Sequence, residues 1–243
     1  MAGRLENRVA IITGASSGIG AAIAQSYAAE GASVVMAARR LDKMQALIDQ
    51  MGPLPVRPIA VETDVRREAD VLRLFETVDR LFGKIDIVVS NAGFADHTPT
   101  DQLTLARWQD IVDTNLTGAF LCARESLRRM KTQRRGRIII VGSISAKSPR
   151  PNSIGYTSTK FALDGMTRSL ALDGRDFGVA VSIIHPGSTK TELMPRMVEK
   201  PRTESMVADE IAQVATLMAS LPDETNLLEA TILPIGQPFL GRG

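Results

Sequence analysis

The chain has 243 residues, of which 44% are apolar and 23% are charged, and its formal net charge is +2. These values are typical of a soluble globular protein and exclude a disordered, collagen-like or coiled-coil chain. The small net charge also argues against a nucleic-acid-binding protein, which concentrates positive charge on one face. We interpret the densest basic stretch, residues 128–137, as the solvated end of a helix.

Short apolar runs alternate with amphipathic segments along the whole chain. The runs are rich in Val and Ile and mostly lack polar alternation, which is typical of parallel strands buried on both faces. The predicted strands span residues 9–13, 33–38, 56–61, 85–90, 137–141, 179–185 and 231–233. The predicted helices span residues 19–30, 42–51, 67–82, 105–133, 156–173 and 206–220. Gly31, Gly83 and Gly174 are expected to act as helix C-caps.

This alternation predicts a single-domain, Rossmann-like α/β fold over residues 1–243. Right-handed crossovers place helices on both faces of a doubly wound parallel sheet of about seven strands. No internal repeat or shift in composition marks a second domain. The least regular stretch, residues 187–202, is expected to be a loop that covers the substrate, because such loops form the ligand site in open α/β sheets. The alternative is an ordinary surface excursion.

The first predicted strand leads into a glycine-rich turn, Thr13-Gly14-Ala15-Ser16-Ser17-Gly18-Ile19-Gly20, and then into a helix. Gly14 permits a sharp turn, Gly18 lets the backbone approach a phosphate, and Gly20 lets the helix pack closely on the sheet. A pyrophosphate then lies at the helix N-terminus, where free amides and the helix dipole favour negative charge. The alternative is a purely structural turn, because the spacing is not the common G-x-G-x-x-G.

The end of the second predicted strand indicates which dinucleotide binds. It reads Met36-Ala37-Ala38-Arg39-Arg40, with no acidic residue before Asp42. An acidic residue here would bond the ribose 2′-hydroxyl of NAD, whereas an arginine accommodates the 2′-phosphate of NADP. We therefore expect NADP(H), held by the planar guanidinium of Arg39. NAD(H) is the alternative if both arginines are solvated.

Two later segments carry groups suited to proton transfer. The predicted strand 137–141 ends in Gly142-Ser143, and Tyr156 and Lys160 follow four residues apart on one face of a helix. A phenol with a pKa of about 10 is a poor base at neutral pH, but a nearby ammonium lowers that pKa. Ser143 can then hold a substrate oxygen beside Tyr156. A surface Tyr–Lys pair would explain the spacing but not the glycine-rich turn or Ser143.

Together these motifs resemble the short-chain dehydrogenase/reductase family. The resemblance covers nearly the whole chain, and the residues that carry it are Thr13-Gly14 through Gly20, Asp64, Asn91-Ala92-Gly93, Asn115, Ser143, Tyr156, Lys160 and Pro186-Gly187 through Thr191. It implies that Tyr156 is the general acid/base, that Ser143 orients the carbonyl or alcohol, and that Lys160 bonds the nicotinamide ribose. Asn115 would hold a water in a proton relay behind Lys160. The alternative for Asn115 is an exposed polar residue of a helix.

The resemblance also implies the remaining cofactor contacts. Asp64 would contact the adenine ring, Asn91-Ala92-Gly93 would line the adenine ribose, and Pro186-Gly187 with Thr191 would hold the nicotinamide carboxamide. The full expected set is Gly14, Ser16, Ser17, Gly18, Ile19, Gly20, Arg39, Arg40, Asp64, Val65, Asn91, Ala92, Gly93, Tyr156, Lys160, Pro186, Gly187, Thr189 and Thr191. The alternatives are that Asp64 caps the next helix and that Pro186-Gly187 only ends a strand.

Two positions depart from the family pattern. Ser90 stands where the family often has Asn before Asn91-Ala92-Gly93, a mild change because Ser still makes one hydrogen bond. Residues 231–238 replace the usual strand followed by a Gly-Gly pair. The resemblance implies a homo-oligomer, commonly a tetramer, that uses helices 105–133 and 156–173. The contacts of the atypical tail are not carried over.

The substrate side is expected to be formed by residues 94–100, 144–154 and 187–202. Its apolar side chains and arginines are Phe94, Ile144, Ile154, Leu193, Met194, Met197, Arg150 and Arg196. A mostly apolar pocket with few polar anchors fits a small alcohol or ketone. An acidic substrate would use an arginine, although arginines are more often simply exposed. His97 is a candidate substrate contact, and His185 is expected to be packed or beside the cofactor.

Three observations bear on compartment and metals. Residues 1–8 carry charges where a signal peptide has an apolar stretch. No apolar run approaches the ~20 residues that span a bilayer. The single cysteine, Cys122, forms neither an internal disulfide nor a zinc site and is expected to be a buried apolar residue. We therefore expect a cytoplasmic protein without a metal site.

Three hypotheses follow. The first is an NADP(H)-dependent oxidoreductase that interconverts a small alcohol and its ketone or aldehyde, with Tyr156 as the general acid/base. The second is a 3-oxoacyl-carrier-protein reductase, for which residues 128–135 are the only candidate basic docking surface. The third is a non-catalytic dinucleotide-binding sensor, because a fold alone does not fix a function. A sensor needs the glycine-rich turn but not Ser143, Tyr156 and Lys160.

Overall fold

The computed structural model describes residues 3–192 and 198–239, and it contains nine strands and seven α-helices in these ranges. The strands are β1 (Val9–Thr13), β2 (Ser33–Ala38), β3 (Ile59–Glu62), β4 (Ile87–Ser90), β5 (Gly136–Val141), β6 (Val179–Pro186), β7 (Thr189–Lys190), β8 (Met206–Val207) and β9 (Glu229–Ile232). The helices are α1 (Gly18–Ala29), α2 (Leu41–Gln50), α3 (Glu68–Phe82), α4 (Leu105–Val112), α5 (Gly118–Gln133), α6 (Ile154–Arg175) and α7 (Ala208–Ser220).

Seven of the strands form one parallel sheet in the order β3-β2-β1-β4-β5-β6-β9. The order reverses between β1 and β4, so the loops that follow these two strands diverge and leave a crevice at the carboxyl edge of the sheet. The predicted doubly wound α/β fold is therefore confirmed. A separate pair, β7 with β8, was not predicted.

Apolar side chains cover both faces of the sheet. On β1, Ala10 and Ile12 belong to one core, with Tyr27 of α1. Val9 and Ile11 belong to the other core, with Phe75 of α3. A central strand with a core on each side has no polar face, which explains why the strand runs lack polar alternation. Tyr27 is fully buried and donates a hydrogen bond to the carbonyl of Ala215 at 3.0 Å.

Several helix ends differ from the prediction. The predicted helix 105–133 is divided by a π-helical turn, Asp113–Thr117, that separates α4 from α5. Gly31 and Gly83 follow their helices with φ of 88° and 67°, as a C-cap requires. The predicted cap at Gly174 is wrong because α6 continues to Arg175. A side chain at Gly174 would meet the carbonyl of Val179 at 2.9 Å, so this glycine permits close packing on β6.

Some strands also have different bounds. β3 begins at Ile59 rather than residue 56, β4 begins at Ile87 rather than residue 85, and β9 lies at Glu229–Ile232 rather than 231–233.

Cys122 is buried, and burial raises the pKa of its thiol to about 12, as expected for a small apolar residue. Among the described residues, no helix combines the length and the apolar character that a membrane span requires.

The interpretation of residues 128–137 as a solvated helix end is wrong at Arg137. Arg137 is only 5% exposed, because it lies in the buried strand β5. Its guanidinium donates to the carbonyls of Leu221, Pro222 and Thr225. Arg137 therefore binds the loop before β9 to the sheet rather than facing solvent.

Candidate active site

The glycine-rich turn is held against the end of β4. Asn91 donates from Nδ2 to the carbonyls of Thr13 and Gly14, and the amides of Asn91 and Ala92 donate to Thr13 Oγ1. Gly14 and Gly18 have φ of 66° and 56°, in the left-handed region that favours glycine. These bonds fix the turn at the bottom of the crevice where the sheet order reverses.

The start of α1 receives no capping hydrogen bond from the side chain of Ser17. The first amides of this helix therefore lack the partner that a capped helix supplies, and together with the helix dipole they favour an anion. Ile19 of this first turn lines the cavity at the carboxyl edge, and Thr191 packs against Gly18, where an added Cβ would lie 3.3 Å from its side chain. The turn thus faces an open space that a pyrophosphate fits.

Arg39 and Arg40 take different places. Arg39 is exposed and lines a groove with Asp64, whose pKa its charge helps to lower. Arg40 lies across the turn instead, with Nη2 2.9 Å from both Ser16 Oγ and Ser17 Oγ. Its Nη1 also contacts Glu192 Oε2 at 3.1 Å. The structure therefore places a cation over the glycine-rich turn as well as one beside the groove.

Asp64 and Val65 also line this groove. Asp64 does not cap α3, because the N-cap position is Arg67, which makes no side-chain capping bond. It pairs with Arg66 at 2.6 Å, and this ion-paired hydrogen bond is the main cause of the lowered pKa of Asp64. Arg107 of α4 and Phe94 line the same groove, and the guanidinium of Arg107 lies 4.6 Å from the centre of the Phe94 ring.

Two neighbouring spaces run along the carboxyl edge of the sheet. The groove described above contains Gly14, Ser16, Ala92 and Asp110 of α4 as well as Arg39 and Asp64. The second space is a cavity with Ser143, Tyr156, Lys160, Gly187 and Thr189 in its wall. Gly93 lines both, so the two spaces adjoin at that residue. An elongated ligand such as a dinucleotide fits this pair of connected spaces.

The side chains of Ser143, Tyr156 and Lys160 come together in the cavity. Ser143 follows β5 and is 8% exposed, and its hydroxyl lies near enough to Tyr156 to lower the pKa of the phenol. Lys160 lies one turn after Tyr156 on α6, and its Nζ is 5.4 Å from the centre of the phenol ring. The ammonium also donates to the carbonyl of Val141 at 2.8 Å, which anchors it to the end of β5.

The pKa of Tyr156 is not lowered as the sequence predicted. Desolvation raises the pKa of the phenol, and this effect exceeds the lowering by the Ser143 hydrogen bond and by the charge of Arg150. Burial also lowers the pKa of Lys160 to about 8, so its charge is itself reduced in this environment. The phenol therefore carries its proton at neutral pH.

Asn115 is only 1% exposed, so its interpretation as an exposed polar residue is wrong. It lies in the π-helical turn between α4 and α5. Its Oδ1 accepts from the amide of Phe94, and its Nδ2 donates to the carbonyl of Phe94 and to Thr159 Oγ1. Because Thr159 precedes Lys160, Asn115 connects the loop after β4 to the helix that carries the lysine. Its role in holding a water stays a prediction.

The segment after β6 forms the remaining wall. The amide of Gly187 donates to the carbonyl of Ile232, and the amide of Ser188 donates to Gln237 Oε1, both at 2.7 Å. Thr189 belongs to β7, and its hydroxyl donates to the carbonyl of Gly187. Pro186-Gly187 thus does more than end a strand, because it lines the cavity. The atypical C-terminal tail holds this segment in place.

The residues expected to contact the substrate do not all lie in the same place. Ile144, Arg150 and His97 line the cavity, and Arg150 is half-buried rather than exposed. Phe94 lines the groove instead, and Ile154 is exposed at the start of α6. Leu193, Met194, Arg196 and Met197 lie outside the described residues, as does Pro195.

Sequence reasoning missed a cluster behind Ser143. His185, Asp164 and Glu229 come from β6, α6 and β9, and one ligand-type atom of each lies within 4.8 Å of the others. The spacing of Tyr156, Lys160 and Asp164, each four residues apart, was the available signal for Asp164. The positions of His185 and Glu229 gave none, because the pairing of β6 with β9 brings them together.

Comparisons with known proteins agree with this arrangement. The family model described as short chain dehydrogenase matches residues 8–202. Farnesol dehydrogenase of Aedes aegypti is 32% identical over 246 residues, which cover 97% of this chain and 99% of the relative. An alcohol dehydrogenase from the archaeon Thermococcus sibiricus, solved with 5-hydroxy-NADP, has a TM-score of 0.86 and 27% identity and covers 95% of this chain and 97% of its own. A 3-ketoacyl-(acyl-carrier-protein) reductase from Brucella melitensis, solved with NADH, has a TM-score of 0.87 and 26% identity, with coverage of 96% and 100%.

Proposed function

Because the chain belongs to the short-chain dehydrogenase/reductase family, we propose that it interconverts a small alcohol and its ketone or aldehyde with NADP(H) as the preferred cofactor. Members of this family are oxidoreductases that act on CH–OH groups with a nicotinamide dinucleotide. The observation that carries the proposal is the convergence of Ser143, Tyr156 and Lys160 in one cavity that adjoins the groove of Arg39. A sensor would need the groove but not these three groups.

The proposed mechanism assigns one task to each group. When bound, the nicotinamide would supply the hydride in reduction and accept it in oxidation. The Ser143 hydroxyl donates a hydrogen bond to the substrate oxygen and holds it beside Tyr156. In reduction the Tyr156 phenol gives its proton to that oxygen, and in oxidation the phenolate takes the proton from the alcohol. Lys160, anchored at the end of β5, would bond the nicotinamide ribose and would supply positive charge near the phenolate.

The residues around the groove support the cofactor assignment. Ala38 ends β2 with a small side chain, no acidic side chain follows before Asp42, and Arg39 faces the groove. Arg40 adds a second cation over Ser16 and Ser17. Two guanidinium groups beside the ribose end of the groove favour a phosphate over a hydroxyl. These residues support a preference for NADP, and the two solved relatives named above contain 5-hydroxy-NADP and NADH.

Titration of the purified protein with NADPH and NADH, followed by nicotinamide fluorescence, tests this assignment. Arg39→Ala is expected to weaken NADPH binding by about tenfold or more, because a charged hydrogen bond to phosphate contributes about 1.5–3 kcal/mol. NADH binding should stay unchanged. Arg57→Ala is the matched control, since Arg57 is an exposed arginine that pairs with Asp49 away from the groove. If NADH binds more tightly than NADPH and Arg39→Ala changes neither affinity, the NADP assignment is overturned.

The pH dependence of the two reaction directions follows from the raised pKa of Tyr156. Reduction uses the protonated phenol, so its kcat/KM is expected to be flat near neutral pH and to fall only as pH rises through that raised pKa. Oxidation uses the phenolate, so its kcat/KM should rise about tenfold per pH unit below the pKa. Arg150→Gln removes a charge that lowers the pKa, and the rising limb should shift to higher pH. A rising limb at the same pH in Arg150→Gln and in the unmodified protein would contradict this assignment.

Substrate class is tested with a carbonyl panel and NADPH: an alicyclic ketone, an aromatic ketone, a 3-oxo ester and a 2-oxo acid. We propose that residues 187–202 cover the substrate, since 187–189 line the cavity.

The carrier-protein alternative gains no support from the basic helix end, where Arg129 already pairs with Asp79 and Glu125. A much higher kcat/KM for a carrier-linked 3-oxo ester than for the free ester would support the carrier-protein alternative.

Oligomeric state and compartment stay predictions. A homotetramer would use exposed apolar side chains on the two long helices, and the structure shows Phe120 on α5 and Phe161 and Leu172 on α6 in such positions. Light scattering after size-exclusion chromatography measures the assembly directly. A monomer at micromolar concentration would rule out the tetramer.

A further inference from the structure

The imidazole of His185 lies directly behind Ser143. The residue belongs to β6 and is completely buried. Its Nδ1 is 2.9 Å from the carbonyl oxygen of Ser143 and 3.3 Å from the amide nitrogen of the same residue. A side chain at Gly142 would come within 2.8 Å of Nδ1, so the ring fits tightly under the end of β5. His185 thus touches both backbone polar atoms of the residue whose hydroxyl faces Tyr156.

The other edge of the ring faces charged groups. His185 Nε2 is 3.5 Å from Asp164 Oδ1 and 3.9 Å from Glu229 Oε1. Among the described residues, neither Nε2 nor Asp164 Oδ1 has a hydrogen-bond partner. Asp164 lies on α6 one turn after Lys160 and two turns after Tyr156, on the same helix face. The helix that carries the proposed acid/base therefore also carries the group opposite His185.

Two cations complete the cluster. Lys147 Nζ is 2.6 Å from Glu229 Oε1, and Arg168 contacts Glu229 at 2.9 Å and Asp164 at 3.3 Å. The two carboxylates are therefore balanced by two side-chain cations. Although His185, Asp164 and Glu229 resemble a set of metal ligands in distance, a divalent ion there would lie against Lys147 and add charge to a balanced site. The arrangement fits a hydrogen-bonded histidine better than a metal centre.

The contacts of His185 indicate which nitrogen carries the proton. Its shortest polar contact joins Nδ1 to the carbonyl oxygen of Ser143 at 2.9 Å, so in the neutral ring Nδ1 is protonated and donates to that carbonyl. Nε2 then faces the Asp164 carboxylate and can donate to it only when the ring takes a second proton. Desolvation lowers the pKa of His185 against the opposing effects of Ser143, Glu229 and Asp164, which favours the neutral ring near pH 7.

We propose that His185 is a positioning residue that holds the backbone of Ser143 so that the serine hydroxyl faces Tyr156. This inference rests on the proposed function of Ser143. Because Nδ1 carries a proton in both the neutral and the charged ring, the bond to the Ser143 carbonyl persists when the ring takes a second proton on Nε2. The contribution of His185 to carbonyl reduction should therefore not depend on its own titration.

Two replacements separate the two edges of the ring. His185→Asn keeps an amide near the position of Nδ1 but lacks Nε2, whereas His185→Leu loses both contacts. We expect His185→Leu to lower kcat about 10- to 100-fold, because a small displacement of a positioned group has effects of this size, with NADPH affinity unchanged. His185→Asn should recover most of kcat, because its side-chain amide can still donate to the Ser143 carbonyl. Ser182→Ala is the control on the same strand, since Ser182 is buried but bonds Asn226.

An NMR measurement gives a readout independent of turnover. The chain has two histidines, so the imidazole signal that disappears in His185→Asn identifies the His185 ring. The expected signal is an Nδ1–H tautomer with a pKa below the ordinary value, and Asp164→Asn should lower that pKa further. His185→Leu with wild-type kcat, or a neutral tautomer with the proton on Nε2, would overturn the inference. A wild-type protein that reduces no carbonyl of the panel would instead overturn the proposed function.

Discussion

Replacement of Tyr156 by phenylalanine is expected to lower the rate of carbonyl reduction by about 10²- to 10⁴-fold, the usual contribution of a positioned general acid. The ring would still fill its place on α6, but no proton would reach the substrate oxygen that Ser143 holds. NADPH affinity should change little, because Arg39 and Ser16 line the adjoining groove rather than the cavity of Tyr156. Single-turnover oxidation of bound NADPH, with binding measured separately, distinguishes the two quantities.

The chain supplies a matched control for this replacement, because it has only two tyrosines. Tyr27 is buried between α1 and α7 and donates to the carbonyl of Ala215. Tyr27→Phe removes the same hydroxyl away from the cavity and should lower the free energy of unfolding by about 1 kcal/mol without changing the rate. Equal rates for Tyr156→Phe and the unmodified protein would exclude Tyr156 as the acid/base.

Replacement of Gly20 by alanine is expected to have the second largest effect, because it acts on fold and cofactor binding together. A Cβ at this position would lie 2.5 Å from both the carbonyl oxygen of Gly14 and Asn91 Nδ2. Neither neighbour can move freely, since Asn91 joins the turn to β4. The start of α1 must shift away from the sheet, which should destabilise the protein by about 1–3 kcal/mol.

Displacement of α1 should also weaken cofactor binding, by about tenfold for each 1.4 kcal/mol of binding free energy that is lost. Urea unfolding measures the stability, and fluorescence titration with NADPH measures the affinity. Gly52→Ala is the control, because a Cβ at Gly52 meets no atom within 4 Å. NADPH affinity that survives in Gly20→Ala would mean that close packing of α1 on the sheet is not required for binding.

The central strands were predictable because their signal is local. β1 and β2 have the predicted bounds, since an unbroken apolar run followed by a turn leaves little choice of register. The division between α4 and α5 was not predictable, because one additional residue in a helical turn leaves the apolar pattern almost intact. β7 and β8 were missed because each has only two residues and depends on pairing with the other.

The candidate site shows the same limit. The positions of Ser143, Tyr156 and Lys160 follow from strand ends and from helical spacing, which the sequence displays. The direction of the Tyr156 pKa does not, because desolvation depends on how the whole cavity is enclosed. The contact between His185 and Ser143 could not be predicted from the sequence either, since it depends on the parallel pairing of β5 with β6.

The position of α4 has a practical consequence. The helix flanks the cofactor groove with Arg107 and Asp110, and the only tryptophan of the chain, Trp108, lies between them. Ultraviolet excitation therefore has a single indole as its main source, placed beside the site where a reduced nicotinamide dinucleotide is proposed to bind. Energy transfer from Trp108 would give a label-free optical signal of occupancy, which reports binding even in variants that cannot carry out hydride transfer.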